Sequence, residues 1–297
     1  MRPIYIVTDG CSDLSLETRE KLNIDCAKMS FVCDGQEYEA NLDWNLYSAK
    51  EFYDMLRAGK RITTTQVSIE EFERIFRMRL EEGYDIIYVA CSSKLSGSVN
   101  TGDLVARKLM AEYPDARIVC VDTRNASLGE GLMVIDAAGL RDAGKSLDEI
   151  VDYLETNKQK YNQIGTVDSL DCLRRAGRIK ASAAFFGNLF GIKPIVISDV
   201  QGRNVAVKKI KGRASALREV VAMAKEAMNE DGEGKMVGIS HADCIEDAEA
   251  LRDMITEATG CTSYYINYIG PIVGASVGPG MIGVYVYGKE VTVGADE

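Results

Sequence analysis

Apolar and polar residues alternate along the first half of the chain in blocks that predict strands separated by helices. Residues 4–8 and 85–90 are short apolar runs rich in β-branched side chains, which is typical of buried strands. Residues 69–80 place apolar side chains at helical spacing. Further strands are predicted at residues 26–33 and 117–121, and further helices at residues 16–22, 49–56, 132–140 and 147–154. Strands joined through helices pair in parallel, so residues 1–160 are predicted to form a doubly wound, Rossmann-like α/β domain.

The pattern changes after a polar connection at residues 156–163. A turn at residues 198–203 predicts a hairpin, and further strands and helices follow it, so residues 161–297 are predicted to form an α+β domain with more antiparallel pairing. Residues 264–288 contain no charge and have the length of a membrane span. Their six glycines and two prolines favour two strands joined by a glycine-rich loop instead.

Composition narrows the class of protein. A chain of 297 residues favours two domains. The formal net charge of −10 argues against a nucleic-acid partner and against permanent residence on an anionic membrane, because both require a basic face. Eight cysteines without a C-x-x-C pair favour scattered, reduced thiols in a cytoplasmic protein over a disulfide scaffold or a zinc site.

Two polar loops supply candidate binding residues. Four serines follow the strand at residues 85–90 and precede a helix, and three threonines precede the helix at residues 69–80. Hydroxyls and free N–H groups at helix starts can hold an anion without a buried counter-charge. The alternative is that these residues only cap their helices. The loop residues are Thr63, Thr64, Thr65, Ser92, Ser93, Ser96 and Ser98.

An apolar segment in the second half contains Phe185, Phe186 and Phe190. These side chains either fill the core of the second domain or line a tunnel for an acyl chain between the domains, which is a common location for ligand sites. Catalytic machinery is sparse by comparison. His241 is the only histidine, at a predicted strand end without a partnered nucleophile, which favours a structural role. We therefore predict a binding protein and not an enzyme, with no metal or cofactor.

Four segments together resemble the DegV family of bacterial proteins, which bind one long-chain fatty acid. Ser-Ser-Lys-Leu-Ser-Gly-Ser at residues 92–98 resembles its central motif, and Thr-Thr-Thr-Gln-Val-Ser at residues 63–68 resembles its Thr-Ser-Gln-Pro-Ser stretch. Residues 170–179 resemble its Leu-x-x-Leu-x-x-Gly-Gly-Arg segment, and residues 270–280 its glycine-rich motif. The similarity covers nearly the whole chain, with one departure: the family commonly has histidine where Ser276 stands.

The resemblance implies that the acid's carboxylate is held by the two polar loops and that its tail is buried. Thr64 and Ser96 are then the first expected head-group ligands, followed by Thr63, Thr65 and Ser93, with Ser276 at the histidine position. Serine leaves space where an imidazole would stand, and we expect a water or an arginine to fill it, with Arg178 as the first candidate. In that family a separate fatty acid kinase converts the presented acid to an acyl phosphate. Arg174, Arg175 and Arg178 are either the kinase-docking surface or a solvated helix face.

A second interpretation is that the protein is an enzyme and not a binding protein. Fold-level analogy links the first domain to dihydroxyacetone-kinase relatives, so a small-molecule phosphotransferase is the alternative. That enzyme would need an acidic cluster for metal or phosphate chemistry. Asp9, Asp13 and Asp122, at predicted strand ends, are its candidates.

Overall fold

The computed structural model describes residues 2–182, 185 and 191–294 and contains three β-sheets. The strands are β1 (Ile4–Asp9), β2 (Ile24–Ala27), β3 (Met29–Cys33), β4 (Gln36–Ala40), β5 (Ile62–Thr64), β6 (Asp85–Ala90), β7 (Ile118–Asp122), β8 (Tyr161–Thr166), β9 (Ile192–Ser198), β10 (Asn204–Lys211), β11 (Val237–His241), β12 (Tyr264–Tyr268) and β13 (Ile282–Tyr287). The helices are α1 (Leu16–Lys21), α2 (Ala49–Arg57), α3 (Ile69–Glu81), α4 (Ser98–Glu112), α5 (Leu128–Asp142), α6 (Leu147–Asn157), α7 (Asp171–Ala176), α8 (Arg213–Ala227), α9 (Ile245–Thr259) and α10 (Pro271–Val277).

The first sheet is parallel, has the order β2-β1-β6-β7 and carries helices on both faces. Side chains alternate in direction along a strand. Val7 and Tyr88 therefore pack in the cluster that contains α3 and α4, whereas Ile6 and Val89 pack in the cluster that contains α5 and α6. This arrangement confirms the predicted doubly wound α/β architecture.

The second sheet has six strands in the order β10-β9-β8-β13-β11-β12. Only β11 and β12 pair in parallel, and the other neighbours are antiparallel. The predicted mixed sheet and the hairpin of β9 and β10 are thus confirmed. The first strand of the second sheet along the chain, β8, begins at Tyr161. The division of the chain into two domains at residue 160 stays a prediction.

Helix α5 lies between the two large sheets, contacting β1 and β6 on one side and β8, β11 and β13 on the other. Burial on both sides explains why its residues from Leu128 to Val134 are all buried. Gly131 permits a close approach to another backbone segment: a Cβ at this position would lie 2.6 Å from the backbone oxygen of Ser12.

We expect Gly131→Ala to lower the free energy of unfolding by about 1–3 kcal/mol, because the added methyl meets backbone and not a flexible side-chain end. Gly139→Ala is the matched control on the same helix, where a Cβ meets nothing within 4 Å. That variant should raise stability by about 0.5–1 kcal/mol. Urea unfolding of both variants measures the difference, and equal changes would contradict the packing of α5.

The single strand predicted at residues 26–33 is wrong. The structure has two strands here, because the chain leaves the parallel sheet at Lys28 and enters a third sheet with the order β4-β3-β5. Asp34 and Gly35, both at positive φ, form the tight turn of the β3–β4 hairpin. Thr63 and Thr64 therefore belong to this antiparallel sheet. The expectation that they follow a strand of the parallel sheet is wrong.

Two predicted loops are helical. Helix α5 begins at Leu128, four residues before the predicted start, and the expected glycine loop at residues 274–277 belongs to α10, which begins with Pro271 at a position where proline is preorganised for a helix. None of the helices in the described ranges combines the length and the apolar composition that a bilayer crossing requires.

Candidate functional site

The serine loop after β6 is held by its own first residue. Ser92 is buried; its backbone N–H donates to Asn125 O at 2.8 Å, and its hydroxyl donates to Gly202 O at 2.8 Å. Gly97, the last loop residue before α4, is the N-cap of that helix and makes no side-chain hydrogen bond to it. The serines are therefore not simple helix caps, and the loop is fixed by contacts to other loops.

The threonine and serine loops contact each other directly. Gln66 donates to the Thr101 hydroxyl at 2.6 Å and lies across Gly97, where a Cβ would meet the Gln66 Oε1 atom. The N–H of Val67 donates to Ser98 Oγ at 3.2 Å. The structure thus brings together the two loops that the sequence predicted to share a site, although they come from different sheets.

Ser96 and Ser98 are hydrogen-bonded to each other through their hydroxyls. Ser98 Oγ accepts the N–H of Val67 and lies 2.9 Å from Ser96 Oγ, which also accepts the N–H of Ser98 at 3.2 Å. Either hydroxyl of the pair can donate to the other. Ser96 is half-buried and lines a cavity; when Ser98 donates, both lone pairs of Ser96 are used and its O–H can donate to a ligand there.

Two adjoining cavities lie at these loops, one of about 230 Å³ and one of about 370 Å³, and they share Thr64, Arg178 and Ser276. Polar groups line one part of the smaller cavity and apolar groups the rest. Its lining residues are Cys11, Met29, Thr64, Thr65, Gln66, Cys91, Leu95, Ser96, Gly97, Ala126, Arg178, Asn204, Ile272, Val273, Ser276 and Val277. The larger cavity adds four cationic or hydroxyl side chains, Lys60, Arg61, Thr63 and Arg175.

Helix α10 and the segment after α7 complete the walls. The N–H of Gly270 donates to the Asp13 carboxylate at 2.8 Å, which anchors the start of α10 and presents Ser276 to both cavities. Arg178 is exposed; its Nε donates to Leu95 O at 3.2 Å and one Nη donates to Ala176 O. The guanidinium therefore lies between the serine loop and the cavities.

The other predicted site residues differ in their positions. Thr63 lines only the larger cavity, and the Thr65 hydroxyl donates to Ser30 O at 3.1 Å. Ser93 lines neither cavity; its N–H donates to Asp122. Phe185 is half-buried against the core, with Lys209 Nζ 5.1 Å from its ring centroid. The remaining two predicted tail residues, Phe186 and Phe190, lie outside the described residues.

Gln66 and Asn204 line the smaller cavity and were not singled out by sequence reasoning. Gln66 stood inside the quoted motif at residues 63–68, so a signal was present. Asn204 begins β10, after the hairpin turn, and nothing in the sequence distinguishes it from an ordinary turn residue. Its amide donates to Arg178 O at 3.1 Å, which links β10 to the cavity wall.

Three carboxyl groups are buried behind the smaller cavity. Asp9 accepts the Tyr88 hydroxyl at 2.5 Å and the backbone N–H groups of Cys11 and Cys91. Burial raises the pKa of Asp9. The pKa of Glu130 is raised well above its usual range, mainly by burial and in addition by the nearby charge of Asp9. Burial also raises the pKa of Asp13 to about 7, against hydrogen bonds from Ser127 and Gly270 that lower it. Asp9 and Asp13 bind backbone N–H groups, whereas Glu130 accepts the Thr8 hydroxyl at 2.8 Å; all three are buried.

Asp122 also binds backbone, accepting the N–H groups of Ser93 and Arg124. Across the described part of the chain, no group of three or more His, Cys, Asp and Glu side chains is placed to hold a metal ion. His241 is buried, accepts the Cys244 N–H at 3.4 Å and packs on Tyr268 with ring centroids 4.3 Å apart. Burial lowers the pKa of His241. These contacts agree with the predicted structural role.

Three short segments match catalytic motifs in spacing but not in structural context. Residues 139–146 match G-x-x-x-x-G-K-S, but they join α5 to α6, and Lys145 and Ser146 bind Glu149 in a helix cap. A phosphate loop requires a strand before the helix.

Residues 278–283 match G-x-G-x-x-G but run from α10 into β13, the reverse of the strand-to-helix order of a dinucleotide site. Residues 274–278 match G-x-S-x-G, but Ser276 lies inside α10 and not at a strand-to-helix turn. The spacing of these three segments therefore carries no catalytic assignment.

Comparison with known proteins supplies the context of this site. Residues 3–289 match the model of a family described as "Uncharacterised protein, DegV family". A DegV domain-containing protein of Clostridium perfringens is 38% identical over 288 residues, covering 97% of this chain and 98% of the relative. A second one, from Streptococcus pyogenes, is 35% identical over 285 residues, covering 96% and 98%.

Solved structures agree with the fold. A structure described as fatty acid binding of a DegV family protein from Thermus thermophilus superposes with a TM-score of 0.86 at 30% identity, covering 97% of this chain and 100% of that one. A stearic acid-binding protein from Eubacterium ventriosum gives a TM-score of 0.87 at 24% identity, covering 96% and 98%, and supports the fold alone.

Proposed function

The chain belongs to the DegV family, and on that premise we propose that it binds one long-chain fatty acid, with the carboxylate at the Thr/Ser loops and the acyl chain buried. One observation carries the proposal: a single cavity joins a cluster of hydroxyl and amide donors to an apolar wall. The Thermus thermophilus protein at 30% identity is described as binding fatty acid. A ligand with one anionic end and a long apolar part fits both features.

The proposed head-group site uses mostly neutral donors. The hydroxyls of Thr64 and Ser276 have no hydrogen-bond partner among the described residues, and the Ser96 hydroxyl can donate to a ligand when Ser98 donates to Ser96. A buried carboxylate needs several hydrogen bonds or a counter-charge. Three hydroxyls with the Gln66 amide supply hydrogen bonds, and the nearby Arg178 guanidinium supplies positive charge at the shared wall.

The proposed tail site begins at the apolar part of the smaller cavity. Ile272, Val273 and Val277 of α10 line this part together with Met29, Leu95 and Ala126. Each methylene buried there contributes about 0.8 kcal/mol, so a tail of roughly sixteen carbons has ample driving force. Our proposal extends the tail site to Phe185, and to Phe186 and Phe190, which lie outside the described residues.

Extraction of the purified protein with organic solvent, followed by mass spectrometry, tests the proposal. We expect about one fatty acid of sixteen to eighteen carbons per chain. Delipidated protein should also take up added palmitate or oleate, as measured by calorimetry. Absence of lipid in repeated preparations, together with no uptake of either acid, would overturn the proposal.

We further propose that the protein presents the acid to a separate fatty acid kinase in the bacterial cytoplasm and has no turnover of its own. Basic side chains surround the larger cavity of a chain with net charge −10. Lys60, Arg61 and Arg175 line it, and the exposed Arg174 lies next to them on α7. Charge reversal at Arg175 should slow acyl phosphate formation by an added kinase while palmitate affinity stays unchanged.

The alternative phosphotransferase gains no support from the site geometry. Its three candidate acids hold backbone N–H groups, and Asp9 and Asp13 are fully buried. ATP hydrolysis by the isolated protein that disappears in Asp122→Asn would favour that alternative over lipid presentation.

Ser276→His should make fatty-acid binding depend on pH. None of the described side chains that line the smaller cavity titrates near pH 6.5. Asp13, whose pKa burial raises to about 7, binds the Gly270 N–H and lines neither cavity, so the parent's affinity should change little between about pH 6 and 8. An imidazole at position 276 would pair with the carboxylate when protonated, which strengthens binding on the acidic side. Palmitate titrations at several pH values measure this. A parent protein that already loses affinity steeply over that range, while folded, would contradict the neutral-donor site.

A further inference from the structure

Three sulfur atoms lie together in the wall of the smaller cavity. Cys11 follows β1, Cys91 follows β6 and Met29 begins β3, and all three line the cavity while being at most 3% exposed. The Cys11 Sγ and Met29 Sδ atoms are 3.9 Å apart, and the side chains of Cys11 and Cys91 are neighbours. We call these residues the sulfur cluster. None of the proposed head-group contacts uses it.

The backbone around the sulfur cluster is fixed. One carboxylate, that of Asp9, accepts the N–H of Cys11 at 2.9 Å and the N–H of Cys91 at 3.3 Å, which holds the ends of the two neighbouring strands together. Gly10 leaves space for the thioether: a Cβ there would lie 3.4 Å from Met29 Sδ. Both thiols are free. The three sulfurs are thus preorganised and face open space on the cavity side.

We propose that the sulfur cluster binds one soft monovalent metal ion, Cu(I), in a three-coordinate site. Thiolate and thioether ligands select Cu(I) over harder cations. Metal–sulfur bonds of about 2.3 Å place two sulfur ligands of a trigonal ion about 4 Å apart, which matches the separation of Cys11 and Met29. Zn²⁺ prefers four ligands in a tetrahedron, and the cluster supplies three.

Binding requires no electron transfer. Two S–H bonds break, two Cu–S bonds form, both protons leave for the solvent, and the Met29 thioether binds as a neutral ligand.

The test uses delipidated full-length protein, kept reduced and free of oxygen, in titrations against the Cu(I)–bicinchoninate complex. We expect the protein to remove one Cu(I) per chain, with copper X-ray absorption showing sulfur neighbours only. Cys11→Ser combined with Cys91→Ser should lower the affinity by more than about 100-fold, the upper loss typical of second-sphere changes. Cys120→Ser combined with Cys261→Ser removes the same number of thiols elsewhere and should leave the affinity unchanged.

Equal copper uptake by both double variants, or a copper shell dominated by nitrogen and oxygen, would overturn the proposal. If the Cys11/Cys91 variant does not fold, Met29→Leu keeps the volume and should weaken binding about tenfold while reducing the sulfur count in the absorption spectrum. A Met29→Leu variant identical to the parent in both respects would equally overturn the three-sulfur site.

The copper site also predicts competition between Cu(I) and the fatty acid, and this prediction rests on the proposed function. A metal ion at the sulfur cluster would occupy the wall that the acyl chain contacts, so Cu(I) should lower palmitate affinity in the parent and not in the Cys11/Cys91 double variant. Because copper uptake is measured without lipid, a failed copper titration and a failed lipid titration are separate results.

Discussion

Replacing Thr64 by Val and Ser96 by Ala together should weaken fatty-acid binding by about a hundredfold to ten-thousandfold. Each substitution removes a hydrogen bond to a charged carboxylate, which is worth about 1.5–3 kcal/mol. Both side chains line the smaller cavity, and the Ser96 hydroxyl can donate into it when Ser98 donates to Ser96. Isothermal titration of delipidated protein with palmitate measures the single and double variants.

Ser93→Ala is the matched control for this experiment. It removes a hydroxyl from the same loop, but Ser93 lines neither cavity, so palmitate affinity should not change. Ser96→Ala also removes the acceptor of the Ser98 N–H, and thermal unfolding of each variant separates that effect from ligand contact. If the double variant binds palmitate like the parent, the two loops serve only to join the sheets.

Asp13→Asn should remove a pH dependence of stability on the order of 4 kcal/mol between pH 4 and 7. The pKa of Asp13 is about 7 in the folded protein because of burial, against 3.8 as its ordinary value. Below about pH 4 the carboxyl is protonated in both states and its stabilising contribution is complete. As the pH rises towards 7, the unfolded chain ionises first, so the free energy of unfolding falls by about 1.4 kcal/mol per unit of pKa difference.

Urea unfolding of Asp13→Asn and the parent across this pH range measures the difference between their slopes. Asparagine tolerates the left-handed conformation of position 13, where φ is 53°. Asp115→Asn, at an exposed carboxyl, is the control and should keep the parent's slope. An Asp13→Asn variant that follows the parent over the whole range would show that Asp13 ionises freely in the folded protein.

Local periodicity was sufficient for the main elements of the fold. The apolar runs that became β1 and β6 have few competing interpretations, and the stripe of Phe72, Phe76 and Leu80 fits only a helix. The third sheet could not be predicted in the same way. A two-residue period identifies a strand but not its partner, and nothing in the sequence at Lys28 shows that one strand ends and another sheet begins.

The sequence predicted which residues meet at the candidate site better than it predicted how those residues are arranged. Thr64, Ser96, Arg178 and Ser276 meet at the cavities, although the threonine loop comes from a different sheet than expected. Ser93, three positions before the cavity residue Ser96, lies outside both cavities because the turn at Ser92 directs its backbone to Asp122. Direction of this kind depends on tertiary hydrogen bonds, which spacing along the chain does not encode.

Helix α5 is apolar on both sides because each of the two large sheets packs against it. Neither sheet can separate from the rest of the molecule without exposing one face of this helix to water. We therefore expect the two halves of the chain to melt as one cooperative unit, with calorimetric and van't Hoff enthalpies that agree. A chain cut after residue 160 would retain α5 with one uncovered apolar face, and such a fragment would associate with itself in place of the missing sheet.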